Sequence, residues 1–227
     1  MEKYVIIVAG GSGTRFGAPT PKQYVELCDV PIIIRTLQQA QRVVAENNIV
    51  TVIPESDFDM FTAMCNKYGL TLPHLARAGE SRFHSVKSGL RKLTTLAPQD
   101  VLVAVHDGVR PFASAALFNR GFKAAMKYGA AVPCIPMIDS VRAINDTTTT
   151  ALKRDNLRCV QTPQVFQLSV LANAYNAEPS AEFTDDASVV EAAGGKIEIF
   201  DGDIRNIKIT NPIDRVVAEY YLSHPQE

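Results

Sequence analysis

The sequence predicts an α/β fold, a mostly parallel sheet covered by helices on both faces. Three features carry the prediction. Apolar runs of strand length recur at Tyr4 to Ala9, Ile49 to Pro54 and Val101 to Val105. Between the first two lies a stretch of helical periodicity, with Ile33, Ile34, Leu37, Ala40, Val43 and Val44 on one face. A glycine-rich turn (Gly10, Gly11, Gly13) comes directly after the first run, where the strand must end and the chain reverse. At 227 residues the chain is expected to form one domain, 1–227, with a sizeable core and one projecting arm.

The first strand leads into Val8-Ala-Gly-Gly-Ser-Gly-Thr-Arg15 and then Pro21-Lys22-Gln23. Backbone N–H groups in such a loop can curl around an anion, and Arg15 and Lys22 add two cations where phosphoryl chemistry needs them. The loop departs from the dinucleotide fingerprint, because Phe16 stands where its last glycine belongs, and from the P-loop spacing, because Lys22 follows Pro21. Glu55, at the end of the second strand, lies about twice as far along as the roughly 20 residues a ribose-binding acid requires.

Pro31 to Glu46 reads as the first helix, Ile49 to Pro54 as a strand, and Asp57 to Tyr68 as a helix ended by Gly69. Leu70 to Ala76 is the third strand. Ala78-Gly-Glu-Ser-Arg-Phe-His-Ser85 then opens a helix to about Leu96, with Ser81 as N-cap. Gly79-Glu80 is either a tight turn or a ligand contact. The fourth strand, Val101 to Val105, runs into His106-Asp107-Gly-Val-Arg110-Pro111. An acid at the C-terminal tip of a parallel strand sits where open α/β sheets bind ligands. Asp107 there either meets a divalent cation beside a phosphate chain or pairs with Arg110. His106 reads as a packing or hydrogen-bonding residue.

A helix from about Ser114 to Lys127 and a strand from Ala130 to Cys134 follow. The pattern then changes. Ile138 to Val160 alternates around a polar tip, Asn145-Asp-Thr-Thr-Thr-Thr150, as an antiparallel β-arm at about 138–160 would. Arg142, Arg154 and Arg158 put more positive charge on it than an isolated hairpin needs. Thr162-Pro-Gln-Val-Phe returns the chain to the core ahead of a helix from Leu168 to Ala177. Thr184 or Asp185 caps the next helix. Lys196 to Phe200 and Asn206 to Thr210 read as closing strands, the second carrying Lys208, and Pro212 to Leu222 as a last helix.

Composition narrows the function. A net charge of −1 with 21% charged residues argues against nucleic acid or membrane surface as a partner. No apolar run approaches the roughly 20 residues of a membrane span, and Met1-Glu-Lys-Tyr enters a strand without a signal-peptide core, so a cytoplasmic protein is expected. Cys28, Cys65, Cys134 and Cys159 are scattered and read as reduced; the four histidines form no ligand pair, so a protein-made zinc site is not expected.

Taken together, the Gly-rich loop, Pro21-Lys-Gln23, Ala78-Gly-Glu-Ser-Arg82, His106-Asp-Gly-Val-Arg-Pro111, Thr162-Pro-Gln164, Thr184-Asp-Asp-Ala-Ser188 and Asn206-Ile-Lys-Ile-Thr210 resemble the 2-C-methyl-D-erythritol 4-phosphate cytidylyltransferase family. The resemblance covers essentially the whole chain. It implies a Rossmann-like sheet with a dimerising arm, and transfer of a cytidylyl group from CTP to 2-C-methyl-D-erythritol 4-phosphate, releasing pyrophosphate, with Mg²⁺ as cofactor. By resemblance Arg15, Lys22 and Lys208 are catalytic cations; Ala9, Gly10, Gly11, Gly13, Gly79, Glu80, Ser85 and Gly108 surround the nucleotide; and Asp107, Ser140, Arg154 and Thr184 meet the acceptor, Asp107 also lying near the metal. The resemblance further implies that Ser140 and Arg154 reach the acceptor from the neighbouring subunit of a homodimer. The Ala9-Gly10-Gly11 form of the loop and the His106-Asp-Gly-Val-Arg-Pro111 stretch also suit ribitol-5-phosphate or other polyol- or sugar-phosphate cytidylyltransferases, whereas Thr184-Asp-Asp-Ala-Ser188 favours methylerythritol phosphate. A non-catalytic nucleotide sensor is the alternative of a different class.

Overall fold

The computed structural model describes residues 1–11, 20–72, 74–145 and 147–225. In chain order they form β1 (Glu2–Val8), β2 (Glu26–Leu27), β3 (Val30–Pro31), α1 (Ile32–Gln41), β4 (Ile49–Ile53), α2 (Phe58–Lys67), β5 (His74–Arg77), α3 (Arg82–Thr94), β6 (Val101–Asp107), α4 (Ala115–Tyr128) and β7 (Ala130–Pro136). There follow β8 (Val141–Asn145), β9 (Thr148–Leu152), β10 (Arg158–Val160), β11 (Gln164–Gln167), α5 (Leu168–Ala174), α6 (Asp186–Ala192), β12 (Glu198–Asp201) and α7 (Pro212–Ser223).

The main sheet runs β7-β11-β6-β1-β4-β5, with β10 and β12 also paired to β7. β1 lies parallel between β4 and β6, β5 lies parallel on β4, and β12 lies parallel on β7. Strand alternation separates two cores. Val5, Ile7, Leu102 and Ala104 face one side and pack with Ile33 and Leu37 of α1, Phe61 of α2, and Phe118 and Phe122 of α4. Tyr4, Ile6, Val103 and Val105 face the other and pack with Phe83, Val86, Leu90 and Leu93 of α3, Leu171 of α5 and Val189 of α6. The expected α/β sheet with helices on both faces is therefore observed.

Several boundaries differ from expectation. α1 stops at Gln41 rather than Glu46, since Val43 and Val44 continue only as a turn on the Ala40 carbonyl. β5 begins at His74 rather than Leu70, whose amide folds back to the Cys65 carbonyl at the end of α2. β11, a four-residue strand that the sequence pattern does not announce, inserts antiparallel between β6 and β7. Asn206 to Thr210 is no strand. Ile209 N–H donates to the Val109 carbonyl at 3.0 Å, and side-chain amides rather than a ladder hold the rest.

β8 and β9 form a separate hairpin, with Val141 opposite Leu152 and Asn145 opposite Thr148. The three arginines of the arm bond locally within the chain: Arg142 donates to Thr149, Arg154 to the Ile138 carbonyl, and Arg158 to the Asp155 and Leu157 carbonyls. Among the described residues no helix is long and apolar enough to cross a membrane.

Candidate active site

The C-terminal ends of β1, β4, β5 and β6 are stitched together just beyond the sheet. Ala9 N–H donates to the Val52 carbonyl, Ala78 N–H to the Ile53 carbonyl and Gly108 N–H to the Val8 carbonyl, each at 2.8 Å. Two glycines allow this closeness. A side chain at Gly10 would collide with the Ala78 methyl, and one at Gly108 would stand 2.7 Å from the Ala9 methyl. Above these tips opens a cavity of about 480 Å³. Ala9, Gly10, Gly11, Lys22, Gly79, Glu80, Ser85, Asp107 and Lys208 all line it, as the sequence predicts, together with Gln23, Ser81 and Arg82.

Each wall has a local cause. Lys22 is fixed because the next two residues, Gln23 and Tyr24, are buried, Tyr24 donating its hydroxyl to Asp57 at 2.9 Å. Ser81 caps α3 by accepting from His84 N–H, so the helix N-terminus borders the cavity. Ser85, one turn into α3, accepts from Gly79 N–H at 3.1 Å and shapes the 79–80 turn. Lys208 is placed by Asn206, whose amide donates to the Thr162 carbonyl and whose own carbonyl takes Arg110 Nη1, both at 2.8 Å.

Asp107 is the electrostatic centre. Its Oδ2 takes Lys208 Nζ at 3.1 Å and Arg110 Nε at 3.2 Å, while Oδ1 faces Arg82 Nε at 3.7 Å. Burial pushes its carboxyl up, but the pull of Lys208, Arg82 and Arg110 outweighs that and holds it well below the usual carboxylate range. The Asp107–Arg110 pair, one of the two alternatives the sequence leaves open, is present, and two further cations join it. Lys22, Arg82 and Lys208 line the cavity with two carboxylates, Glu80 and Asp107, and Arg82 is also paired with the buried Asp186.

Beneath Asp107 lies His106, fully buried. Its Nε2 donates to the Arg110 carbonyl at 3.1 Å, an atom that can only accept, and its Nδ1 meets the Thr162 hydroxyl at 2.9 Å. Thr162 Oγ1 in turn accepts from Asp107 N–H at 3.0 Å. Burial disfavours the charged form, so the imidazole is held neutral and props the 107–110 turn, in keeping with the packing or hydrogen-bonding role expected of it. Burial drives its pKa down from 6.5 to about 4. The unfolded chain takes up a proton near pH 6.5 that the fold refuses until about 4, so stability is full above 6.5 and drains as pH falls toward 4. His106→Gln removes that dependence. The difference in unfolding free energy between wild type and this variant is expected to shift by about 3 kcal/mol between neutral pH and pH 4, measured by urea denaturation. A constant difference would refute the neutral assignment.

Gly13 and Arg15 lie outside the described residues. Gly108 does not line the cavity; it serves the close approach of β6 to β1, with its carbonyl taking the Thr36 hydroxyl at 3.1 Å. Ser140 and Arg154 are exposed on the arm, away from the cavity lining. Thr184 is exposed and is not the cap of α6; Asp185 is, in a capping box with Ser188. Sequence reasoning gave no role to Arg82, which bonds Asp186 through both terminal nitrogens, at 2.9 and 2.6 Å. The signal was the doubled acid Asp185-Asp186: a cap uses one, and the second, fully buried, needs a cation.

A family model described as 2-C-methyl-D-erythritol 4-phosphate cytidylyltransferase matches residues 3–224. The chain belongs to this family. A 2-C-methyl-D-erythritol 4-phosphate cytidylyltransferase from Bacteroides fragilis is 39% identical over 223 residues, 98% of this chain and 100% of the relative. One from Azobacteroides pseudotrichonymphae is 42% identical over 96% of this chain and 97% of its own length. Among solved structures, the 4-diphosphocytidyl-2C-methyl-D-erythritol synthase of Anaerococcus prevotii superimposes with a TM-score of 0.83 at 30% identity, covering 98% of this chain and 96% of the other. The 2-C-methyl-D-erythritol 4-phosphate cytidylyltransferase of Thermus thermophilus gives 0.74 at 29% identity, covering 98% and 100%. The cytidylyltransferases thus match the fold over nearly its full length, consistent with the resemblance drawn from the motifs.

Proposed function

We propose that this protein transfers the cytidylyl group of CTP to 2-C-methyl-D-erythritol 4-phosphate, releasing pyrophosphate, a step in isoprenoid precursor biosynthesis. The observation that carries the reading is the full-length match to this family on a chain whose Gly10, Gly11, Lys22, Asp107 and Lys208 meet in one cavity. The acceptor's phosphate oxygen attacks the α-phosphorus, the bond from that phosphorus to the bridging oxygen breaks, and pyrophosphate departs with the electron pair. Such a displacement needs positioning and charge neutralisation more than a nucleophilic side chain. The backbone at Ala9 to Gly11 and Gly79, with Glu80 and Ser85, holds the nucleotide; Lys22, Lys208 and Arg15 draw the accumulating negative charge; Asp107 and Thr184 orient the acceptor.

Mg²⁺ belongs to the proposal. Among the described residues no three His, Cys, Asp or Glu side chains converge on a metal cage. Asp107 has Oδ2 engaged by two cations, while Oδ1 makes one longer ion pair, with Arg82 Nε at 3.7 Å, and can still accept a further ligand. One such oxygen fits an ion that brings its other ligands as phosphate oxygens and waters. Asp107 Oδ1 would hold it, and the ion would neutralise part of the triphosphate charge.

A homodimer that shares its sites through the arm completes the reading. Supporting it, Ile138 and Ile144 are 77% and 79% exposed on a two-stranded hairpin and its lead-in, a unit marginal by itself. A partner copy would cover them and receive Ser140 and Arg154 beside its acceptor. The setting is cytoplasmic, in line with four free cysteines.

The test is pyrophosphate release from CTP and Mg²⁺ with methylerythritol phosphate and, separately, ribitol 5-phosphate. Release with the first alone is expected. Release with the second alone would reassign the acceptor, and release with neither would leave a nucleotide-binding protein without turnover.

A further inference from the structure

Asp186 is fully buried, yet it lies in the first turn of α6, next to the cap residue Asp185 and two positions after Thr184. Its carboxylate takes Arg82 Nη1 on Oδ1 and Arg82 Nη2 on Oδ2, and Tyr175 adds its hydroxyl to Oδ1 at 2.7 Å. A guanidinium is planar with its donors in a fixed fork. Once both terminal nitrogens are held by Asp186, the direction of Nε is set as well, and Nε faces Asp107 Oδ1 at 3.7 Å.

One side chain therefore spans three elements: α3, whose start lines the nucleotide wall, α6, which follows Thr184, and the tip of β6, which bears Asp107. A second contact runs alongside. Phe83, the next residue of α3, stacks on Tyr175 with ring centroids 4.7 Å apart and on Phe183, adjacent to Thr184, at 5.8 Å. Gln164 anchors the same turn from the sheet, donating to Asp185 Oδ2 at 2.8 Å and accepting from Ala187 N–H at 2.9 Å.

We propose that Arg82 and Asp186 are positioning residues: their bidentate pair fixes Asp107 relative to the 183–186 segment and so sets the acceptor's seat against the nucleotide. The inference rests on the acceptor roles of Asp107 and Thr184 proposed above. An alternative role for Arg82, a simple cation that holds the triphosphate, makes opposite demands. A lysine could supply that charge, and Asp186 would be irrelevant to the acceptor.

The experiment compares Arg82→Lys, Asp186→Asn and Tyr175→Phe with wild type, using pyrophosphate release at varied methylerythritol phosphate and CTP binding by calorimetry. Arg82→Lys and Asp186→Asn are each expected to raise the acceptor KM by about tenfold or more and lower kcat, with CTP Kd changing less than about threefold. The double variant should be little worse than either single one, as for residues acting through one contact. Tyr175→Phe keeps the ring stack and loses one bond to Asp186, so a smaller rise in acceptor KM is expected even if Asp186→Asn does not fold. A loss of folded protein lowers kcat in proportion and leaves KM alone. An unchanged acceptor KM in folded Arg82→Lys and Tyr175→Phe, or a change confined to CTP Kd, overturns the proposal. Wild-type silence with methylerythritol phosphate would instead count against the acceptor reading itself, so the two failures are distinct.

Discussion

Lys208→Met is expected to lower kcat by about two to three orders of magnitude, the size of effect seen when one preorganised transition-state charge contact is lost. Lys208 Nζ stands 3.1 Å from Asp107 Oδ2 at the cavity wall, on a segment held by the Ile209–Val109 backbone bond and by Asn206. Methionine keeps most of the stem and removes the charge. Asp107 retains Arg110 and Arg82, so its carboxylate stays ionised and local packing is preserved. The lysine side chain is 40% exposed, so its ion pair is screened and contributes less than about 1 kcal/mol to folding. A large kinetic effect beside a small shift in melting temperature is thus the expected signature. A loss of under about threefold in single-turnover transfer would exclude Lys208 from the chemistry.

The second large effect concerns the arm. Arg154 is exposed, donates to the Ile138 carbonyl at 2.7 Å and lies away from the cavity lining of its own chain. If it works in a neighbour's site, Arg154→Ala and Lys22→Ala chains, each inactive alone, should recover activity on mixing. In a two-fold dimer every mixed pair holds one site with both residues intact, so roughly half of the wild-type rate per dimer is expected from it. Pyrophosphate release by isolated, differently tagged heterodimers measures this. No recovery in verified heterodimers would sink the shared site.

Much of the fold and site is legible in the sequence because it obeys local rules. Runs such as Val101 to Val105 declare a strand buried on both faces, and Ser81 declares a helix start whether or not a ligand binds there. Cavity-lining residues such as Gly10, Gly79, Ser85 and Asp107 sit at strand tips or helix starts, where short-range pattern and site coincide. The features that escape sequence reading depend on distant partners. Gln164–Gln167 is short and polar at both ends, and it becomes a strand only because β6 and β7 offer it two ladders. Asn206 to Thr210 alternates like a strand, but the cause is a buried Asn206 bonding the Thr162 carbonyl. Thr184 and Asp185 are equivalent as caps until the capping box chooses Asp185. The role of Arg82 needs the fold itself, since its partner Asp186 lies far along the chain.

The placement of β11 also dictates a sequence of events. β1, β4, β5 and β6 are all synthesised well before Gln164, yet β6 takes β11 as its second neighbour. A nascent chain that has emerged only as far as the arm already owns most of its cavity-lining residues. It still carries an open ladder along β6, the kind of edge on which another chain can pair, and a His106 that lacks Thr162. The loop that must close to fill that edge contains the whole hairpin, a non-local step of the sort that slows folding. The centre of the sheet, and the turn that presents Asp107, are therefore completed only after the arm has been made.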